Sequence, residues 1–430
     1  MSAAARTISG LSISPSICRL VNFANLSRPV AFVDSDAVAD TFFRLLRGWP
    51  LVADRPDAAN RDAIVTVRSE PTGYRIECGW SQGARNLPDP VDAACALIAE
   101  LVQALLAEQQ ERLCLHSAAV EIAGRLVVFP SDYRAGKSSF VVALAAQGQR
   151  IFSDDVLPLT AFGDGVAPGL APRLRRPLPM DMSATLRAFV ESHRGPTSPR
   201  YRYLDLDSGH LAGFGEAAPI GAFVLLEREE GAEARLIETS AGEVLRRLVL
   251  RNFARGVPAP VILERLRALV ESGPRYRLRY ARAEEGAALL LRVAGSWREQ
   301  PRVRSNAASA GAAPFVSLAT VPTVPPGCLL RHPAVAELTV DQEAFLTDPS
   351  GWSIHYLNPL GAALWRLFAQ PMSVADAVEI LHAAFPDRSH SQLARDVGLW
   401  IHQVRAQGFL LSADDPGGAP DIAQSPLLSA

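Results

Sequence analysis

Apolar positions in the first hundred residues come in short runs broken by turn residues. Residues 29–33 (Pro-Val-Ala-Phe-Val) and 63–67 (Ala-Ile-Val-Thr-Val) have the length and β-branched content of strands, and residues 74–78 continue as a third after the turn Pro71-Thr72-Gly73. Asp89-Pro90 places a capping side chain before a proline at the first helical position, opening a long apolar helix to about Ala107. Residues 1–108 read as a small N-terminal α/β domain. From 109 to 300 the pattern changes to hairpin, loop, helix and further strands. Residues 114–121 and 125–129 pair around Ala123-Gly124, and an apolar helix follows to about Gly148. Strands are expected at 150–152, 222–227 and 275–282. Ser240-Ala241-Gly242-Glu243 forms a capping box that opens a helix to about Asn252, and another helix covers 261–271.

Residues 301–327 are rich in Ser, Ala, Asn, Pro and Val and read as a linker. Beyond it, strands are expected at 336–340 and 352–356. Asn358-Pro359 and Ser373 start two helices, and a third runs from about Ser391 to Gln407. Strands plus three short helices within 328–412 give a winged-helix-like α+β module. Residues 413–430 have the composition of a disordered tail.

Composition narrows the function classes. Hydrophobic residues at 48% are enough for ordinary folded cores, and a net charge of −2 gives no electrostatic case for nucleic acid or an anionic membrane surface. The cysteines are scattered and form no CxxC pair, which argues against a zinc knuckle or disulfide framework and fits a reducing cytoplasm. No uncharged apolar run reaches membrane-spanning length.

The chemistry concentrates around one residue. Lys137 is the sole lysine among 43 basic residues, all the others being arginine. It stands in Ala135-Gly136-Lys137-Ser138, after the apolar run 126–129 and before the helix. Strand, tight turn, Gly-Lys-Ser and helix is the layout of a phosphate-binding loop. A compact ammonium on a flexible stem can fold back over its own loop, and the planar guanidinium cannot take that place. The loop Ser131-Asp132-Tyr133-Arg134-Ala135-Gly136-Lys137-Ser138-Ser139 would cradle nucleotide phosphates with its backbone amides. Ser138 would place its hydroxyl on Mg²⁺, and Arg134 would reach the terminal phosphate, close the loop or stay solvated. Asp154 and Asp155 follow the short strand 150–152. One carboxylate would hold Mg²⁺ and the other would accept a proton from an incoming hydroxyl. Adjacent acids on a strand point to opposite faces, so a turn must intervene if both serve one site.

Leu115-His116-Ser117-Ala118-Ala119-Val120-Glu121, then Gly136-Lys137-Ser138, then Phe152-Ser153-Asp154-Asp155-Val156-Leu157-Pro158-Leu159, in that order and spacing, resemble the HPr serine kinase/phosphorylase family and its HPr-kinase-related members. The resemblance covers about residues 109–290. It implies a P-loop core similar to phosphoenolpyruvate carboxykinase and transfer of phosphate from ATP to a serine hydroxyl. It also implies a catalytic role for His116, phosphate binding by Lys137, metal binding by Ser138 with Asp155, and general-base action by Asp154. Arg173 and Arg202 are candidate sources of transition-state charge, and a homo-oligomer remains open, the family's true kinases being hexamers. Ser131 stands where the family has its first loop glycine, Arg134 where it has a second, and Ser139 where the true kinases have glutamate. The resemblance therefore implies neither HPr as acceptor nor the reverse, phosphate-removing reaction.

The C-terminal module resembles PqqD-like peptide-recognition domains, through Leu357-Asn358-Pro359-Leu360-Gly361-Ala362-Ala363-Leu364-Trp365, Ser373-Val374-Ala375-Asp376-Ala377 and Gln407-Gly408-Phe409-Leu410. Such domains take a leader peptide as an added strand, so the resemblance implies a peptide or precursor-peptide partner. The other use of a winged helix, DNA binding, is disfavoured by five arginines against eight acids in residues 326–412. The combined expectation is an ATP- and Mg²⁺-dependent serine or peptide kinase. A small-molecule kinase, a P-loop hydrolase and a non-catalytic nucleotide-sensing scaffold remain open at this point.

Overall fold

The computed structural model describes residues 18–52, 62–80, 83–109, 112–130, 135–254, 256–295, 297 and 323–413. Most of the expected linker and all but the first residue of the expected tail lie outside the described residues. The mixed α/β character is observed. The chain folds as two compact units that interleave in sequence. The first draws on the N-terminal stretch with 145–154 and 167–216, and the second on 112–144, 155–166 and 217 onwards.

In the first unit a sheet runs in the order Leu51–Val52, Cys18–Phe23, Val30–Val33, Val65–Glu70, Gly73–Cys78, Arg85–Leu87. Val30–Val33 lies parallel to Val65–Glu70, with Val30 opposite Val65, and the other neighbours are antiparallel. Helices Asp36–Leu45 and Pro90–Glu108 supply the rest of the core. Phe23, Phe32 and Phe42 are buried between them and the sheet. The cap forms as the sequence indicates: Asp89 accepts hydrogen bonds from the amides of Val91 (2.8 Å) and Asp92 (3.3 Å). Among the described helices, Pro90–Glu108 is long and apolar enough to cross a membrane, with a mean hydropathy of 1.6. Its Ala93, Ala94, Leu97 and Leu101 sit in the unit's core. Residues 167–216 join the same core through Ala171 and Tyr203, and Trp49 Nε1 donates to the Pro168 carbonyl at 2.8 Å.

The second unit is built on strands in the order Ala118–Ile122, Arg125–Phe129, Ile220–Arg228, Arg275–Tyr280, Arg235–Glu238. The hairpin turn carries Ala123 at φ 50° and Gly124 at φ 76°, the left-handed pair that suits the twist of a two-residue connection. Arg125–Phe129, Ile220–Arg228 and Arg275–Tyr280 are mutually parallel neighbours, with Phe223 opposite Val128 and Arg228 opposite Tyr280. Parallel strands covered on both faces read as continuous apolar runs, and Val128, Phe129, Phe223 and Val224 are fully buried. Helix Lys137–Ala145 returns over the sheet, with Phe140 edge-on to Phe129 at 5.3 Å and tilted against Tyr280 at 5.2 Å.

The C-terminal part of this unit is a meander, Ala336–Val340, Glu343–Thr347 and Ile354–Leu357, followed by helices Pro359–Leu367, Val374–Ala384 and His390–Ala406. A second small sheet runs in the order Met372–Ser373, Cys328–Arg331, Leu410–Ser412. The helix caps are Asn358 (to Gly361 N, 2.8 Å), Ser373 (to Asp376 N, 3.1 Å) and Ser389 (to Gln392 N, 3.3 Å). Trp365, Phe368 and Phe409 fill the centre.

Candidate functional site

In open α/β sheets ligands gather at the carboxyl ends of parallel strands. Here strand Arg125–Phe129 leads, through Ser131, Asp132, Tyr133 and Arg134, to helix Lys137–Ala145. Those four residues lie outside the described set. The loop's second half is described. Gly136 has φ +85°, a left-handed conformation that glycine adopts without strain. A Cβ there would sit 3.2 Å from the Tyr280 hydroxyl and 3.9 Å from Arg228 Cδ. Tyr280 and Arg228 end the two neighbouring parallel strands, so all three strand ends converge on Gly136. The Tyr280 hydroxyl donates to the Ala135 carbonyl at 3.4 Å, and burial pushes its pKa above the usual phenol range. Lys137 is the first residue of the helix and is 9% exposed. Ser138 and Ser139 follow in its first turn and are half-buried. A helix N-terminus, a left-handed glycine and a sequestered ammonium together suit an anion such as a nucleotide phosphate.

The second cluster of the same unit is His116 with Asp155. His116 Nδ1 lies 3.1 Å from Asp155 Oδ1. The histidine is fixed through its backbone: its amide donates to the Arg251 carbonyl at 2.6 Å, and Phe253 packs edge-on to its ring at 5.6 Å. The strand expected over 114–121 is broken at His116, which lies in a bend between Cys114–Leu115 and Ala118–Ile122. Strand Leu157–Pro158 pairs antiparallel with Cys114–Leu115 and so brings Asp155 back to that bend. Cys114, next to this pair, is fully buried. Burial first, and then the Asp155 charge, pushes its thiol up to about 12, which makes it an inert neighbour.

The two adjacent acids part company. Asp154 belongs to the first unit and Asp155 to the second. Asp154 Oδ2 accepts from the Arg173 backbone amide at 3.0 Å. Arg173 itself lies over Tyr201 at 5.1 Å and donates to Cys95 Sγ at 2.6 Å. Arg202 forms an ion pair with Glu191, so its charge is engaged within the first unit. Sequence reasoning passed over Arg228, Tyr280 and Phe253. The first two could have been found from their positions at strand ends. Phe253 reaches His116 only through tertiary folding.

A third feature lies in the C-terminal part. A cleft of about 740 Å³ opens between the Ile354–Leu357 strand and helix His390–Ala406. Leu360, Phe385 and Trp400 give it an apolar lining, and Arg388, Asp396 and His355 add polar groups. Ile354–Leu357 pairs on one side with Glu343–Thr347 and ends the sheet order. Burial pulls the His355 pKa below the usual imidazole value, against the upward pull of Asp348.

Residues 343–410 match the family model described as coenzyme PQQ synthesis protein D (PqqD), and the chain thus carries a PqqD domain at its C-terminal end. No curated protein matches the chain.

Proposed function

We propose that the chain is an ATP- and Mg²⁺-dependent kinase that phosphorylates a serine-type hydroxyl on a peptide held by its PqqD domain, in the modification of a ribosomally made peptide. The observation that carries the enzymatic half is the only lysine of the chain, sequestered at the start of a helix at the carboxyl ends of parallel strands. Bulk solvent would be the natural place for a lysine without a task. The cleft beside a terminal sheet strand carries the other half, since an extended peptide can add to such an edge and place alternate side chains in the cleft.

In this reading Lys137 and the amides around Gly136 hold the phosphates. Arg228, at the neighbouring strand end, adds positive charge. Ser138 and Asp155 would hold Mg²⁺. Among the described residues no group of three or more His, Cys, Asp or Glu gathers. Mg²⁺ in a nucleotide site relies on one or two carboxylates and on phosphate oxygens. The bound nucleotide supplies the phosphoryl group, and the metal shields its charge. His116, oriented by Asp155 through Nδ1, takes the proton from the acceptor hydroxyl as the new O–P bond forms and the bond to the leaving diphosphate breaks. The general-base role implied for Asp154 is tested beside it with Asp154→Asn. Most of the rate enhancement would come from positioning and charge, as in phosphoryl transfer generally.

The test is transfer of labelled phosphate from ATP to a serine-containing precursor peptide by the full-length chain. Lys137→Ala should lower transfer by about 10²–10³-fold, with peptide binding unchanged. Phosphotransfer retained in that variant would contradict the assignment. Free serine as acceptor separates a small-molecule kinase, and phosphate release without acceptor separates a hydrolase. Nucleotide binding without transfer identifies a sensing scaffold.

A further inference from the structure

Helix Ala241–Leu250 has a different neighbour at each end. At its first turn the Gly242 amide donates to the Asp341 carboxylate of the C-terminal part at 2.8 Å, beside the helix's own cap, Ser240. The approach is close: a Cβ on Gly242 would lie 2.8 Å from Glu343 Oε2 and 3.1 Å from the Val340 carbonyl oxygen. One turn further on, the Arg246 guanidinium lies over the Tyr356 ring at 5.3 Å, and the Tyr356 hydroxyl donates to Glu343 at 3.1 Å. A second tether joins the next helix, where the Ala259 amide donates to the Gly351 carbonyl at 2.8 Å.

At the other end the chain leaves the helix directly into the His116 cluster. The Arg251 carbonyl holds the His116 amide, the Phe253 amide donates to the Cys114 carbonyl at 2.8 Å, and Asn252 bridges Leu115. The seat of His116 is therefore set by the three residues that directly follow a helix whose first residues are clasped by the PqqD-containing part. Asp341 adopts φ 55°, a left-handed conformation in which most side chains are strained. An aspartate there keeps a carboxylate against a helix N-terminus, where negative charge is favoured.

Tyr356 completes the connection. It belongs to the Ile354–Leu357 strand and lines the cleft. A peptide added to that strand acts on the residue that packs against Arg246. We propose that helix Ala241–Leu250 couples occupancy of the cleft to the placement of His116 against Asp155, with Asp341, Arg246 and Tyr356 as positioning residues. This rests on the reading given above for the cleft and for the His116–Asp155 pair. Such coupling is reciprocal, so a ligand bound at the His116 cluster alters peptide affinity by the factor by which the peptide alters that ligand's.

The experiment observes the histidine ring resonances of the full-length chain by NMR, with His116 assigned by the signal lost in His116→Gln. Asp341→Ala and Arg246→Gln should each shift the His116 signals and leave those of His193 and His210, in the first unit, in place. Asp341→Asn, whose side-chain oxygen still accepts, should return the His116 signals most of the way to their wild-type positions. Should Asp341→Ala fold poorly, Arg246→Gln carries the test alone. Unmoved His116 signals in a folded variant overturn the proposal. Titration of wild type and Lys137→Ala with Mg²⁺-ATP tests the kinase reading separately. Shifted His116 signals without nucleotide binding sink the kinase and keep the coupling; nucleotide binding with unmoved signals sinks the coupling alone.

Discussion

Replacing Gly136 by alanine tests the geometry of the loop with two separable costs. The first is conformational: φ +85° is left-handed, and an L side chain there costs about 1–2 kcal/mol. The second is contact: the new Cβ would meet the Tyr280 hydroxyl at 3.2 Å, and forcing a buried neighbour aside adds up to about 1 kcal/mol. Gly136→Ala should therefore destabilise by about 2 kcal/mol. Tyr280→Phe removes the crowding oxygen and loses only a long bond to Ala135, worth about 1 kcal/mol or less. In that background the alanine should cost only the conformational part. Urea unfolding of the four proteins of this cycle gives the interaction energy directly. An equal cost in both backgrounds refutes the contact, and an alanine variant as stable as wild type refutes the whole account. If the loop holds phosphate, Mg²⁺-ATP affinity should fall alongside stability.

Three further outcomes are expected. His355 has a depressed pKa, so the stability it contributes is complete above the unfolded value of about 6.5 and is lost as pH falls through its folded value. Comparing urea midpoints of wild type and His355→Gln from pH 7.5 to 5 should show acid loss in wild type that the variant lacks, and parallel curves would contradict it. Cys114, with its thiol pushed up to about 12, should resist iodoacetamide at pH 8 while the exposed Cys18 reacts; mass mapping that finds both labelled at the same rate contradicts the burial. Asp89→Ala removes a cap shared by two amides and should cost about 1 kcal/mol, read by chemical denaturation, with Asp89→Asn nearly neutral.

Local signals in the chain were legible and long-range ones were not. Asp89-Pro90, Asn358-Pro359 and Ser373 cap the helices their chemistry announces, because a cap is settled within four residues. Ser240 was half legible. Its hydroxyl does accept from the Glu243 amide, but the Glu243 carboxylate does not reach back to close the box. It is held instead by Thr239 and by Arg277 from a strand. Helix Asp36–Leu45 was overlooked although Val38, Ala39, Phe42 and Leu45 have helical spacing. Strand Glu343–Thr347 was overlooked; its last four residues are all buried, so it shows no alternation of exposed and buried positions. The packing of residues 167–216 with the N-terminal stretch rests on contacts distant in sequence, such as Trp49 with Pro168, 119 residues apart, and no periodicity encodes those. At the candidate site Asp154 and Asp155 were expected to serve one site through an intervening turn; they lie in a bend beyond strand Arg150–Ser153 and meet different partners. Their choice, Arg173 for one and His116 for the other, needed three dimensions.

The burial of Lys137 has a practical corollary. A protease specific for lysine has a single peptide bond to cut in this polypeptide, and in the native fold that bond begins a helix whose first side chain is hidden. Cleavage into two fragments would then time the local opening of one loop. A ligand that clamps the loop would slow the appearance of those fragments, which gives a label-free gauge of occupancy in which the chain's own scarcity of lysine does the reporting.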